Sequence, residues 1–494
     1  MTYTGAMNLG ELLRSTAAAN PRKTALILGA HEVSYPQLDE TTGRLACWLL
    51  REGCRPGDRI AIHWSNSIEV VELFFACFKA GLIAVPVNVR MKAPEIAHVL
   101  SHSKAVMCFS QPELKRLARE AARECAGLRA LHTVVEAGPA GAGIALPEVG
   151  ADEPALILYT SGTTARPKGV THTHRSLLAS AEFMLGVAPD SMQTVLVMTQ
   201  MMHASGINCD LLPAVLTGGT AVLLPAFDAP TVLDLIERHQ CTFTMGLPAL
   251  VQLLLEEQTR QPRDVSSLRT FIAGGDSVPV SMQQRFQKLF GIPLREGHGM
   301  TESLPTLLNP ADAIRPGSLG RPVDGVEVRV VDLSGNEVPA GEIGEITLRS
   351  AANCVGYWED PDATRVTLRD GWLYTGDLGR RDERGYHWFE GRKKEIIIRG
   401  GSNISPQEVE EAFYSHPAVL EAAVVGMPDA AYGEKVIAFV SLRDGRAAVE
   451  QELRDHARER LADYKVPERI LFLAELPKGI TGKVQRRILK QMAN

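Results

Sequence analysis

A loop rich in hydroxyl residues and glycine closes a predicted strand at residues 155–160. The segment 159–169 reads YTSGTTARPKG and combines small hydroxyls, two glycines and two cations. Such a loop suits a polyphosphate, because glycine lets backbone N–H groups approach closely and the cations neutralise charge. It is not a Walker A loop, since Gly162 is not followed five residues later by Gly-Lys-Ser/Thr. Taken alone, the segment fits a mobile turn equally well.

Further segments of unusual composition follow along the chain. They are GHGMTE (297–302), GWLYTGD (371–377), GRKKE (391–395) with GGSNISPQEVE (400–410), and LPKGITGKV (476–484). Each has a structural explanation when taken alone. Asp377 suits a turn, Glu302 suits a helix start, Lys483 suits a solvated turn, and His203 in MMHASG suits a core histidine.

Together, and in this order, these motifs resemble the adenylate-forming superfamily, which contains acyl-CoA synthetases, adenylation domains of peptide synthetases and beetle luciferases. The resemblance spans nearly the whole chain, and five motifs in sequence exclude chance. It implies an ATP-dependent acyl-CoA ligase that forms an acyl-adenylate, transfers the acyl group to CoA, and releases AMP and pyrophosphate. ATP, Mg²⁺ and CoA are the implied cofactors and co-substrates.

The resemblance implies a nucleotide site with defined roles. Glu302 matches the residue that holds Mg²⁺, a cation that prefers oxygen ligands, and Thr301 matches the residue that binds phosphate. Asp377 would accept the ribose hydroxyls with Arg392 beside it, and Lys483 would stabilise the charge of the transition state. The implied ATP and AMP contacts are Thr160, Ser161, Gly162, Thr163, Thr164, Lys168, Gly275, His298, Gly299, Met300, Thr301, Asp377, Arg392 and Lys483.

The remaining implied sites serve the acid, CoA and domain rotation. His203 is expected both in the catalytic group, with Lys483, Thr301 and Glu302, and in the acyl pocket. The expected pocket residues are His203, Ile207, Gly274, Gly275, Gly299 and Met300. The expected CoA tunnel comprises Gly400, Gly401, Tyr432 and Lys465, and the expected hinge is Lys394. Small and apolar pocket residues favour an aromatic or medium-to-long-chain acid.

Three departures from the family pattern are visible. Ala165 replaces the usual glycine of the phosphate loop and cannot adopt positive φ cheaply. His298 replaces the Tyr or Trp that stacks on adenine. Val466 and Glu468 replace cations that grip the CoA nucleotide in one benzoate-ligase branch.

Short apolar runs alternate with helical patterns between residues 155 and 275, which predicts parallel sheets with helices on both faces. After about residue 315, period-two alternation predicts a β subdomain. We therefore expect an α/β protein with an N-terminal adenylation domain at 1–391, its β subdomain at about 315–391, and a mobile α+β domain at 392–494. The segment 137–151, rich in Gly, Ala and Pro, predicts a surface loop.

The composition limits the classes of binding partner and the cellular compartment that we expect. The 494 residues carry 52 Lys plus Arg against 58 Asp plus Glu, a net charge of −6, so no nucleic-acid partner is expected. Eight cysteines without a CxxC pair favour reduced thiols and a cytoplasmic protein. No signal peptide is found, and the apolar stretch 68–82 contains three charged residues, so no membrane span is expected. A homodimer is allowed.

Three alternative functions remain open at this point. A free-standing adenylation enzyme would load a separate carrier protein instead of CoA. A luciferase-like oxygenase would need a special substrate. A nucleotide-binding regulatory protein without catalysis is disfavoured, because Lys483, Glu302 and Asp377 are all retained.

Overall fold

The structure is a computed structural model that describes residues 7–135, 145–160, 167–276, 278–393, 395–400, 402–429, 431–479 and 483–493. The α-helices are α1 (Leu9–Ala19), α2 (Tyr35–Arg51), α3 (Ile68–Ala80), α4 (Ala93–Ser103), α5 (Lys115–Ala122), α6 (His174–Val187), α7 (Leu212–Thr217), α8 (Ala229–His239), α9 (Pro248–Arg260), α10 (Val280–Phe290), α11 (Pro361–Thr367), α12 (Pro406–Tyr414), α13 (Glu450–Arg458) and α14 (Arg486–Ala493).

The strands are β1 (Thr24–Leu28), β2 (His31–Ser34), β3 (Arg59–His63), β4 (Ile83–Pro86), β5 (Ala105–Ser110), β6 (Ala130–His132), β7 (Pro154–Thr160), β8 (Lys168–Thr173), β9 (Thr194–Val197), β10 (Thr220–Leu223), β11 (Phe243–Gly246), β12 (Thr270–Gly274), β13 (Leu294–Met300), β14 (Ser303–Leu308), β15 (Arg321–Pro322), β16 (Val326–Val331), β17 (Ile343–Ser350), β18 (Gly356–Tyr357), β19 (Leu368–Arg369), β20 (Trp372–Arg381), β21 (His387–Arg392), β22 (Ile397–Arg399), β23 (Ser402–Ile404), β24 (Val419–Asp429), β25 (Gly433–Leu442) and β26 (Arg469–Phe472).

Two large, mainly parallel sheets build the N-terminal part of the described chain. The first has the order β15-β14-β13-β12-β11-β9-β10-β1-β2, and the second has the order β18-β8-β7-β4-β3-β5-β6. Both are parallel in the centre. The first sheet is antiparallel at both edges, and the second is antiparallel only at the edge formed by β18, β8 and β7. Helix α3 is buried on almost every side in the core that these sheets share, as its continuous apolar sequence requires. The predicted parallel architecture is confirmed.

The carboxyl ends of parallel strands position the chemical groups. Strand β7 ends at Thr160, which pairs with Lys168 at the start of β8. Helix α6 follows β8 directly, and the Thr173 hydroxyl caps it by accepting a hydrogen bond from the Ser176 N–H at 3.1 Å. In the first sheet, β13 and β14 form a tight hairpin, and Glu302 lies in its turn.

The third and fourth sheets are smaller. Strands β16, β17, β19, β20 and β21 form an antiparallel sheet, which is the predicted β subdomain. Strands β22 to β26 form the last sheet with α12, α13 and α14 around its own apolar cores. The small C-terminal α+β unit of the predicted fold class is therefore confirmed.

The predicted surface loop, the cysteines and the expected lack of a membrane span can be compared with the described residues. Residues 137–144 of the predicted loop lie outside the described residues, and 145–150 have no helix or strand. The eight cysteines form no disulfide within the described chain, and all except Cys47 are buried. None of the described helices combines the length and apolar character that a membrane span requires.

Candidate active site

The phosphate loop is described at its two ends. Ser161, Gly162, Thr163, Thr164 and Ala165 lie outside the described residues. The Lys168 ammonium lies 4.9 Å from the centre of the Tyr357 ring and 3.9 Å from a carboxylate oxygen of Asp360. A third of the Lys168 side chain is exposed, so its charge remains available to an anion.

The Thr301–Glu302 turn is held from three sides. The Tyr357 hydroxyl donates a hydrogen bond to Glu302 Oε1 at 2.7 Å, and the Cys354 N–H donates to the Glu302 carbonyl at 2.7 Å. His172 Nε2 lies 2.7 Å from the Thr301 carbonyl, which fixes this nitrogen as the donor. Glu302 is buried, so these contacts define its orientation.

Asp377 is buried between His298 and Arg392 at the junction of β13, β20 and β21. His298 Nε2 lies 3.0 Å from Asp377 Oδ2, and Arg392 Nε lies 3.1 Å from Asp377 Oδ1. Asp377 and Arg392 are direct partners in the register of β20 and β21. Burial alone would raise the pKa of Asp377, but His298, Arg392 and Lys483 lower it below its ordinary value. Asp377 is therefore an ionised acceptor at neutral pH.

Lys483 brings the C-terminal unit to the same place. Burial of its ammonium lowers its pKa, as does the charge of Arg392, whereas Asp276, Asp377 and Glu302 act in the opposite direction. The residue as a whole remains exposed to the cleft. The predicted catalytic lysine thus lies within electrostatic range of the predicted metal ligand and ribose acceptor.

His203 precedes a π-helix at Ser205–Leu211. Burial, together with the charges of Lys483 and Arg90, lowers its pKa to about 4. The imidazole is therefore neutral at physiological pH and supplies a wall or a hydrogen bond, not a positive charge. Arg295 on β13 donates to the Asn309 and Val187 carbonyls.

The predicted pocket residues divide between exposed and enclosed positions. Met300 and Gly299 are half-buried, whereas Ile207 has no exposed surface. Gly275 has a φ of +84°, and a Cβ there would lie 2.9 Å from a Leu247 methyl group. A Cβ on Gly299 would lie 2.0 Å from Leu304 Cδ1. The positive φ favours glycine at 275, and a Cβ on Gly299 would require Leu304 to move, so the role of these glycines in the pocket stays a prediction.

The predicted CoA residues are divided between two places. The Gly400 N–H donates to the Tyr432 carbonyl at 2.7 Å, and the Tyr432 ring is largely exposed. Lys465 forms an ion pair of 2.6 Å with Glu408, and both line a cleft of about 970 Å³ between the third sheet and α12. Gly401 lies outside the described residues, as does the predicted hinge, Lys394.

Sequence reasoning missed three residues that complete the site. Tyr357 contacts both Glu302 and Lys168, His172 supports Thr301, and Asp276 lies within electrostatic range of Lys483. Tyr357 follows a glycine, but no motif or spacing in the sequence marks it as a site residue. A tyrosine or histidine that acts through a neighbour has no spacing pattern of its own.

Comparisons with known proteins give matches over most of the chain. A family model described as AMP-binding enzyme matches residues 13–358, and one described as AMP-binding enzyme C-terminal domain matches residues 408–483. The sulfoacetate–CoA ligase of Cupriavidus necator is 36% identical over 97% of this chain and 96% of that protein. The feruloyl-CoA synthase of an Amycolatopsis species is 38% identical over 95% of each chain.

A solved structure shows that the fold is shared with a known enzyme. The anthranilate CoA ligase AuaEII, crystallised in complex with anthranoyl-AMP, has a TM-score of 0.93 to this chain. It is 30% identical and covers 99% of this chain and 97% of its own. The names of these proteins share a CoA thioester product and differ in the acid, from a small sulfonate to aromatic acids.

Proposed function

We propose, from the premise that the chain belongs to the AMP-binding enzyme family and is an AMP-forming acid–thiol ligase, that it activates an aromatic or medium-to-long-chain carboxylic acid and transfers it to CoA. The observation that carries the proposal is the convergence of Lys483, Asp377 and Glu302 from separate parts of the chain. Each of these groups suits one part of an acyl-adenylate reaction.

The first half-reaction joins the acid to ATP. The substrate carboxylate attacks the α-phosphorus of ATP, pyrophosphate leaves, and an acyl-adenylate remains. Negative charge gathers between the carboxylate and the α-phosphate in the transition state. The Lys483 ammonium stabilises that charge in a cleft where water is partly excluded. Asp377, ionised and buried, accepts the ribose hydroxyls and fixes the nucleotide in place.

Glu302 fits a magnesium ion that is held mainly by phosphates. It is a buried carboxylate with one oxygen engaged by Tyr357, which leaves Oε2 as the candidate ligand. The described residues contain no cluster of three or more His, Cys, Asp or Glu side chains that could hold a metal. That agrees with Mg²⁺, which often uses one or two carboxylates together with substrate phosphates. When bound, the ion would neutralise charge on the departing pyrophosphate.

The second half-reaction requires the C-terminal unit to move. Lys483 lies within electrostatic range of Asp377 and Glu302 in this structure, an arrangement that suits the first half-reaction. We propose rotation about Lys394, after which Gly400 and Gly401 line the route of the pantetheine thiol. The thiol then attacks the acyl carbonyl, the carbonyl–phosphate bond breaks, and AMP leaves. Rotation of a whole unit about a few residues is a known way to reuse one site.

The acid is the least determined part of the proposal. Met300 and Leu304 pack half-buried against the main core and offer apolar surface beside Gly299. The aromatic acids in the names of two compared proteins support an aromatic substrate. The sulfoacetate ligase, at similar identity, shows that family membership alone does not decide the acid.

A panel of acids tests the substrate class. The kcat/KM values for acetate, hexanoate, decanoate and benzoate should rise from acetate to the larger acids. The increase should be graded, because one methylene in an apolar pocket is worth about 1–3 kcal/mol. Met300→Ala should change the order of the larger acids, and the matched control Met282→Ala, in a separate core, should not. A wild-type enzyme that prefers acetate would contradict the proposed pocket.

The acceptor can be tested in the same assay. With CoA as the only thiol, acyl-CoA should accumulate together with AMP. The alternative function, loading of a carrier protein, predicts an adenylate that CoA does not discharge. Formation of the adenylate without any acyl-CoA would therefore favour the carrier alternative and overturn CoA as the acceptor.

Tyr357→Phe should weaken the use of ATP without unfolding the protein. The change removes the hydroxyl that holds Glu302 but keeps the ring beneath Lys168. A hydrogen bond to a charged group is worth about 1.5–3 kcal/mol, so kcat/KM for ATP should fall roughly tenfold to hundredfold. Tyr386→Phe, which loses only a bond to the Ala313 carbonyl, is the matched control. Equal kinetics for both variants would remove Tyr357 from the site.

A further inference from the structure

His298 stands where an aromatic platform was expected, but both of its ring nitrogens are engaged. Nδ1 lies 2.8 Å from the Thr306 hydroxyl, and Nε2 lies 3.0 Å from Asp377 Oδ2. Only 10% of the side chain is exposed. The ring is therefore fixed by its edge between β14 and β20.

The hydrogen bonds define which atoms carry protons. The Thr306 hydroxyl also lies 2.9 Å from the His298 carbonyl, which can only accept. If Thr306 donates there, Nδ1 must donate to the Thr306 oxygen. Asp377 is ionised and can only accept, so Nε2 must donate to it. Nε2 of His298 is therefore the donor to Asp377.

The two carboxylate oxygens of Asp377 have different surroundings. Oδ2 accepts from His298, whereas buried Oδ1 accepts no hydrogen bond in the structure, although the Arg392 guanidinium lies 3.1 Å away as an ion-pair partner. A buried oxygen without a hydrogen-bond donor is costly. A ligand hydroxyl that donates to Oδ1 would remove this cost.

We propose that His298 is a positioning residue for the ribose: it holds Asp377 Oδ2 through Nε2 so that Oδ1 faces the ribose hydroxyls. The inference rests on the proposed function in one respect, that Asp377 receives the ribose. It assigns His298 a role through its ring edge, which differs from stacking on adenine through its face. His298 would then affect nucleotide binding only when the ribose hydroxyls are present.

Two substitutions distinguish a role of the His298 ring edge in hydrogen bonding from a role of the ring face in stacking. His298→Gln keeps an N–H donor near the position of Nε2 and removes the aromatic face. His298→Phe keeps an aromatic face and removes both nitrogens. The dissociation constants of AMP and of dideoxy-AMP, which lacks both ribose hydroxyls, are measured by calorimetry for the two variants and the unmodified protein. Thermal unfolding of each variant shows that it is folded.

The expected result is a loss specific to the ribose hydroxyls. For the Phe variant, the preference for AMP over dideoxy-AMP should fall roughly tenfold or more, as a charged hydrogen bond implies, while dideoxy-AMP affinity stays nearly constant. The Gln variant should keep most of the preference. Retention of the preference in the Phe variant, with loss of affinity for both nucleotides in the Gln variant, would establish a stacking role and overturn the proposal.

The remaining outcomes are also decisive. An equal loss for both nucleotides in the Phe variant would mean that His298 only supports the local fold, and the proposal would be wrong. If the unmodified protein bound neither nucleotide, the proposed function itself would fail. Normal AMP binding with an unchanged preference in the Phe variant would overturn this inference alone.

Discussion

Lys483→Ala should lower the rate of acyl-adenylate formation by about 10²–10³, the usual cost of losing one donor at a developing charge. The effect should be confined to that step. In the proposed cycle Lys483 leaves the site before the thiol attacks, so thioester formation from a supplied acyl-adenylate should change little. Pyrophosphate release and single-turnover thioester formation measure the two steps separately.

The control lysine lies in the same segment. Lys478→Ala removes a lysine whose ammonium pairs with Glu421 at 2.9 Å, and it should leave both steps nearly unchanged. Because burial lowers the pKa of Lys483, adenylation in the unmodified enzyme should decline with rising pH earlier than an ordinary lysine would allow. Equal losses in both half-reactions would contradict the assigned role.

Glu302→Gln should produce the second-largest loss, at least about a hundredfold in kcat for adenylation, because metal charge stabilisation is worth several kcal/mol. The amide keeps the shape and can still accept from the Tyr357 hydroxyl, so the fold should survive. Its neutral oxygen is a poor ligand for Mg²⁺. Affinity for Mg·ATP should fall, whereas affinity for AMP, which needs no metal, should stay constant.

Glu327→Gln provides the matched control for Glu302. Glu327 lies exposed on β16 and pairs with Arg349 at 2.6 Å, far from the β13–β14 turn in sequence. Calorimetry with Mg·ATP and AMP should show no change for this variant. If Glu302→Gln weakened AMP and Mg·ATP binding alike, Glu302 would be a structural residue and the metal assignment would be wrong.

Sequence patterns predicted the parallel sheets because buried strands have continuous apolar runs. The limits of those strands were less certain. The segment TVLVMT (194–199) continues two residues beyond β9, which ends at Val197. The Asn66 amide donates to the carbonyls of Val197 and Thr199 at 3.3 and 2.8 Å, so a side chain replaces the ladder there. A contact between residues so distant in sequence leaves no local pattern.

Site residues could be predicted where they belong to a recognisable motif. They could not be predicted where they act only through a neighbouring residue. Lys483, Asp377 and Glu302 stand in recognisable segments, and the structure brings them together. His298 stays a predicted nucleotide contact, and its hydrogen bonds to Thr306 and Asp377 could not be predicted, because these residues lie on other strands. Sequence reasoning could not distinguish glycines that leave space for a ligand from glycines whose adjacent space is already filled by a neighbouring side chain.

The transfer of oxygen from acid to nucleotide tests the central claim most directly. A carboxylic acid labelled with heavy oxygen is incubated with the enzyme, ATP, Mg²⁺ and CoA, and the products are analysed by mass spectrometry. Attack of the carboxylate on the α-phosphorus predicts one labelled oxygen in AMP and none in pyrophosphate, with AMP and acyl-CoA formed in equal amounts. Unlabelled AMP, or ADP and phosphate as products, would contradict an acyl-adenylate at this site.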